Sequence, residues 1–96
     1  MSVIRTHTYR VEAADYDTFL QRRSALIADI RTSHPGLSAA RLVRLEDGTY
    51  SDTWHWQSAE QLDAALAAIA TFEGARPTMS LTSDGTAQNG VVVDER

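Results

Sequence analysis

The chain has 96 residues, 43% of them hydrophobic, nine arginines, no lysine, and a formal net charge of -4. A single core usually holds roughly 50 to 200 residues, so residues 1–96 are read as one domain with little interior to spare for a large private cavity. The acidic balance and scattered arginines exclude a nucleic-acid surface, and the absence of cysteine excludes disulfides, a thiolate nucleophile and a thiolate metal site.

The start, Met-Ser-Val-Ile-Arg-Thr-His, lacks the charged region followed by an apolar stretch that marks a signal peptide. No apolar run approaches the roughly 20 residues that span a bilayer, so the expectation is a cytoplasmic protein with no membrane partner. Residues 3 to 11, Val-Ile-Arg-Thr-His-Thr-Tyr-Arg-Val, are rich in β-branched and aromatic side chains and form the first candidate strand. Alternation puts Arg5, His7 and Tyr9 on one side and Ile4, Thr6 and Thr8 on the other, and neither side is cleanly apolar.

From Asp15 to about Ser33 the period becomes helical. Tyr16, Phe19, Leu20, Leu26, Ile27 and Ile30 make one apolar stripe, with Asp15 at the N-cap. His34-Pro35-Gly36 stops the helix, because the residue before proline is pushed out of the α region and glycine accepts the turn.

Leu37 to Trp56 reads as a β-hairpin closed by Asp47-Gly48, a pair suited to the positive φ angles of a type I′ turn. With a two-residue loop, Leu45 faces Tyr50, Val43 faces Asp52, Arg41 faces Trp54 and Ala39 faces Trp56. Tyr50, Asp52, Trp54, Trp56 and Arg41 then share one surface, with Asp52 as a charge partner for Arg41. The opposite surface carries Ser38, Ala40, Leu42, Arg44, Ser51, Thr53 and His55.

A second helix follows, opened by the capping-box pattern Ser58-Ala59-Glu60-Gln61, with Leu62, Ala65, Leu66, Ile69 and Phe72 as its buried stripe and Gly74 as its end. Residues 75 to 85 read either as a short helical turn begun by Pro77 or as irregular chain. The last strand runs from about Thr86 to Asp94, and Val91-Val92-Val93 predicts that both of its faces are covered. The order β, α, β, β, α, β is the split βαβ arrangement, an α+β ferredoxin-like fold with a four-stranded antiparallel sheet. Two helices cover one face of such a sheet, so the other face predicts a partner, most simply a second copy of the chain.

Three local features, in this order of elements, carry a resemblance. They are the first helix running into Ser33-His34-Pro35-Gly36-Leu37, the third strand ending in Trp54-His55-Trp56, and Gln57-Ser58-Ala59-Glu60-Gln61-Leu62-Asp63 opening the second helix. From about residue 3 to 94 the chain resembles the antibiotic-biosynthesis-monooxygenase-like branch of the dimeric α/β-barrel superfamily. The resemblance implies a homodimer packed through its sheet faces, and a pocket in each subunit between its own sheet and helices. It implies oxygenation of a hydroxylated, polycyclic aromatic compound with no metal, flavin or other cofactor: the substrate is deprotonated and its carbanion reacts with O2.

The family's pocket tryptophan maps onto Trp56. The haem-degrading branch uses a first-strand asparagine and a histidine just beyond the second helix, where this chain has Thr6, His7 and Thr8, and Thr71-Phe72-Glu73. That argues against haem degradation. The cofactor-free oxygenases also commonly carry the strand asparagine, and the only asparagine here is Asn89.

The expected site therefore has His7 as base, Trp56 in the pocket and Arg41 as anion stabiliser, with Tyr9, Tyr50, Asp52 and Trp54 binding a small aromatic ligand. No metal site is expected, because the three histidines fall on separate elements without ligand spacing. The alternatives are a non-catalytic ligand-binding or accessory module using the same pocket, and a protein whose tryptophans simply fill the core.

Overall fold

A computed structural model describes residues 1–96. The β-branched run predicted at residues 3 to 11 is the central strand β1 (Val3–Val11). The chain continues through α1 (Tyr16–Ser33), β2 (Leu37–Arg44), β3 (Tyr50–Trp56), α2 (Ala59–Ala68), α3 (Ala75–Met79) and β4 (Thr82–Val91). All strand pairs are antiparallel, in the order β2-β3-β1-β4, which is the expected ferredoxin-like α+β sheet. No helix is long and apolar enough to cross a membrane.

α1 settles on the sheet through Phe19, Leu26, Ile27 and Ile30, all buried, and each such side chain contributes about 1.5–3 kcal/mol of hydrophobic stabilisation. Asp15 holds the N-cap position without capping. It ends a 3₁₀ turn, Ala13–Asp15, in the αR region, whereas a capping side chain needs an extended backbone. Ser58 does cap α2, as its sequence predicts. It is extended at φ -153°, its Oγ accepts the Gln61 N–H at 3.2 Å, and its hydroxyl lies 3.1 Å from Gln61 Oε1.

Gly36 leaves room for the flexible end of the Gln61 side chain and does not serve a left-handed turn. A Cβ there would come within 2.6 Å of the Gln61 side chain that closes this cap. α2 ends at Ala68 and passes into a 3₁₀ turn, Ile69–Thr71; Gly74 precedes α3 and does not terminate α2.

The hairpin register is one residue away from the expected one. Leu45 N–H bonds the Thr49 carbonyl at 2.8 Å and Gly48 N–H returns to the Leu45 carbonyl, so the loop holds three residues, Glu46 to Gly48. Gly48 alone takes positive φ, at 85°, and the Asp47 carboxylate accepts the Thr49 N–H. Opposite pairs are then Arg44–Tyr50, Leu42–Asp52, Arg41–Thr53 and Ala40–Trp54, with a bulge between Leu37 and Ala39. A one-residue shift exchanges the faces of the whole strand, so Leu42 and Ala40 join the core side and Arg41 points away from it.

β4 begins at Thr82, earlier than the sequence suggests, and ends at Val91. It is an edge strand of the sheet. Val91 and Val93 are 55% and 86% exposed, so the valine run is not covered on both faces within the chain. The core has two parts on the helix side of the sheet: an aliphatic cluster around Trp56 and an aromatic one of Tyr9, Phe19 and Tyr50.

Candidate functional site

Alternation along β1 aims Arg5, His7 and Tyr9 at the helices, and the neighbouring strand β3 aims Asp52, Trp54 and Trp56 the same way. Between these strands and the helices lies a cavity of about 190 Å³. Its other walls are mostly apolar, including Phe19, Leu26, Ile30, Leu62 and Met79. Two polar groupings face it, and a third polar group is buried beside it.

The innermost is built on Asp52, which is 4% exposed. Its Oδ2 accepts the Tyr9 hydroxyl at 2.7 Å and Arg23 Nε at 2.9 Å. Its Oδ1 accepts Arg23 Nη2 at 2.7 Å and Trp54 Nε1 at 2.9 Å. These four bonds fill the lone-pair sites of a carboxylate, and the bidentate pairing with arginine fixes its plane. Burial and the negative charge of Asp52 push the Tyr9 phenol far above its ordinary range, so it stays a proton donor. Burial lowers the Arg23 pKa, but the hydrogen bonds and charge of Asp52 outweigh it and the net shift is upward. The network holds shape; it leaves Asp52 no free lone pair to take a substrate proton.

The second grouping lies on the side of the cavity toward β4. Arg5 Nε donates to His7 Nε2 at 3.3 Å, and Arg5 Nη1 donates to Asn89 Oδ1 at 2.8 Å. No carboxylate lies within ion-pair distance of Arg5. Burial lowers the His7 pKa, the Arg5 charge adds to this, and the pull of Asp52 does not compensate. His7 is therefore a neutral imidazole at pH 7, with its Nε2 lone pair beside a guanidinium.

The third is a single group. Trp56 is 3% exposed, and its Nε1–H is buried without a hydrogen-bond partner. Leaving such a donor unpaired costs about 1–3 kcal/mol, and because the atom is sealed from the cavity that cost is carried by the fold.

Of the residues expected from sequence, His7, Tyr9, Asp52, Trp54 and Trp56 line this one cavity. Two do not. Arg41 is exposed on the opposite face beside Thr53, because the three-residue loop shifts the register. Tyr50 is on the right face but outside the lining. It stacks between Tyr9 (6.4 Å) and Tyr16 (5.9 Å), and its hydroxyl accepts from Arg44 Nε at 3.2 Å.

Arg5 and Arg23 went unassigned in the sequence although each left a trace there. Arg5 shares the alternation of His7 and Tyr9, and Arg23 sits four residues after Phe19 and three before Leu26, inside the apolar stripe of α1. The histidines stay apart: His55 faces away from the cavity and His34 packs edge-on to Phe72. No three His, Cys, Asp or Glu side chains are arranged to hold a metal ion.

No protein-family model matches the chain, and no curated protein matches its sequence. Solved structures do match its fold. A mutant of SnoaB, a cofactor-independent oxygenase from Streptomyces nogalater, superposes with a TM-score of 0.77 at 18% identity, covering 98% of this chain and 95% of that one. The chain has the fold of the antibiotic-biosynthesis-monooxygenase-like proteins. A putative antibiotic biosynthesis monooxygenase from Caulobacter crescentus superposes at TM-score 0.73 and 15% identity, covering 97% and 91%. A variant of MhuD with two manganese protoporphyrin IX molecules bound per active site does so at 0.67 and 20%, covering 98% and 97%. At these identities the likeness establishes the fold and leaves the reaction to the residues in the cavity.

Proposed function

We propose that this protein is a cofactor-independent monooxygenase acting on a hydroxylated aromatic small molecule. The observation that carries the reading is His7: a neutral imidazole beside an unpaired guanidinium, in an apolar cavity of ring-like dimensions. A phenol entering the cavity takes the place of the Arg5–His7 contact and gives its proton to His7 Nε2. The phenolate is then held by Arg5, a charge placed in advance where negative charge develops.

The ring carbon para to that oxygen forms a C–O bond with O2. Loss of its proton and cleavage of the O–O bond leave a quinone and release water. The ring gives up four electrons, O2 accepts four, and one oxygen atom stays in the product. Trp54 and Trp56 offer flat walls for the ring.

Oxygen uptake that depends on added phenol, and that falls sharply in Trp56→Ala and His7→Gln with the fold intact by circular dichroism, is the expected result. No uptake across a broad panel of phenols and anthrones would overturn it. A non-catalytic binding module is favoured instead by the absence of asparagine from β1, where Thr6, His7 and Thr8 stand. Under that reading a ligand binds tightly and is recovered unchanged.

The reading includes a homodimer formed through the sheet face that the helices leave open, where Ile4, Thr6, Thr8 and Thr53 remain partly exposed. Light scattering at micromolar concentration is expected to give twice the chain mass; the mass of a single chain would remove the dimer.

A further inference from the structure

We infer that the ligand is a single aromatic ring bearing a carboxylate, with a hydroxyl beside that carboxylate. The inference rests on the aromatic-ligand reading above and specifies it, and two independent features of the cavity lead to it.

Size sets the ring count. A cavity of about 150 Å³ takes up benzene, and pockets for drug-sized ligands run from about 300 to 1,000 Å³. At about 190 Å³ the present cavity holds one substituted ring. A second space, of about 240 Å³, lies toward β4, and His7, Tyr9 and Met79 line both. These three side chains line the boundary between the two, and a fused polycycle would have to move at least one of them to occupy both.

Charge sets the first substituent. Arg5 lines the cavity, is partly withdrawn from water and has no acidic partner. Its Nε and Nη1 are engaged by His7 and Asn89, and Nη2 is free. A guanidinium oriented in this way and lacking a counter-ion selects a carboxylate over a neutral group. The hydroxyl takes the place of the contact between Arg5 Nε and His7 Nε2, and the free Nη2 lies on the same edge of the guanidinium as Nε, so a carboxylate on Nη2 comes from the neighbouring ring carbon.

The probe pair is 2-hydroxybenzoate, whose carbon para to the hydroxyl carries a hydrogen, and its methyl ester, which differs by the charge and one methyl group, with a tricyclic anthrone as the size control. Calorimetric titration of the intact chain is expected to give the acid an affinity at least about tenfold above the ester, a preference that weakens as salt screens the charge. The preference collapses in Arg5→Gln and partly returns in Arg5→Lys. Met79→Ala, which cuts back one of the three side chains at the boundary, is expected to tighten anthrone binding.

Equal binding of acid and ester by the unaltered protein overturns the inference without recourse to any variant. So does an anthrone that binds more tightly than the single ring, and its oxygenation would leave the monooxygenase reading standing. Arg5-dependent preference for the acid with no oxygen uptake upholds the inference and removes the monooxygenase reading. Failure of all three probes to bind overturns it.

Discussion

Asp52→Asn tests the buried network with almost no change of shape. The carboxylate accepts four hydrogen bonds from three side chains, and the side chains of Arg23 and Asp52 are only 14% and 5% exposed. An amide in its place keeps one acceptor oxygen and turns an N–H2 group toward donors, so at least one pair of donors faces another donor. Arg23 stays charged and loses its counter-ion in a site that water reaches poorly.

Breaking one side of a buried pair in this way costs about 3–5 kcal/mol. In a domain of this size each kcal/mol moves Tm by about 4–8 °C, so the fall is at least about 12 °C. Urea denaturation of the single variants and of Arg23→Met with Asp52→Leu closes a double-mutant cycle. Removing both charges together is expected to recover much of the loss, because the uncompensated guanidinium goes with its partner. An Asp52→Asn midpoint corresponding to less than about 1 kcal/mol of destabilisation would refute the claim that this network holds the cavity's shape.

His7 gives a pH signature whose sign follows from its depressed pKa. Folding favours the neutral imidazole, so its contribution is fully present above about pH 6.5, the unfolded value, and is lost as pH falls through the lower folded value. Urea midpoints should therefore decline more steeply from pH 7 to pH 5 in the wild type than in His7→Gln, and parallel curves would count against the burial of this side chain. Gly48→Ala isolates the turn: a Cβ there meets nothing within 4 Å, so the cost comes from φ +85° alone, about 1–2 kcal/mol in a denaturation experiment. An unchanged midpoint would show that the loop can adopt another geometry.

What could be read from the sequence and what could not separate by range. β1 has the boundaries its run of β-branched residues predicts, and Ser58 caps α2 through Gln61, because both signals depend only on adjacent residues. The hairpin failed by one residue for a local reason. Asp-Gly suits a two-residue type I′ loop and also the last two positions of a three-residue loop with glycine left-handed, and the sequence does not choose between them. In the structure Asp47 accepts the Thr49 N–H and hydroxyl, and only Gly48 takes positive φ.

That single residue decided which arginine Asp52 would meet. Arg41 turned outward, and the partner came from α1, across a contact with no signature between the two segments. The one available clue was an arginine interrupting an apolar stripe. The cavity's volume depends on how Met79 and α3 close over β1, in the part of the chain where the sequence left helix and irregular structure both open.

The site divides its work between the two ends of the same strands. β1 contributes Tyr9 to the Asp52 network and Arg5 with His7 to the ligand end; β3 contributes Asp52 to the network and Trp56 to the ligand end. Trp54 belongs to both, since its indole N–H is tied to Asp52 while its ring walls the cavity. A saturated ion pair suits the first task because every donor has one place to go, which fixes rotamers that apolar packing alone would leave adjustable. The second task needs groups that can be re-engaged, and those are found at the other end: a long 3.3 Å contact between Arg5 Nε and His7 Nε2, and a free Nη2 on Arg5 with no carboxylate within ion-pair distance. Under the proposed reading, a change at Asp52 is therefore expected to reach a bound ring through the tilt of Trp54, with no direct contact between that carboxylate and the ring.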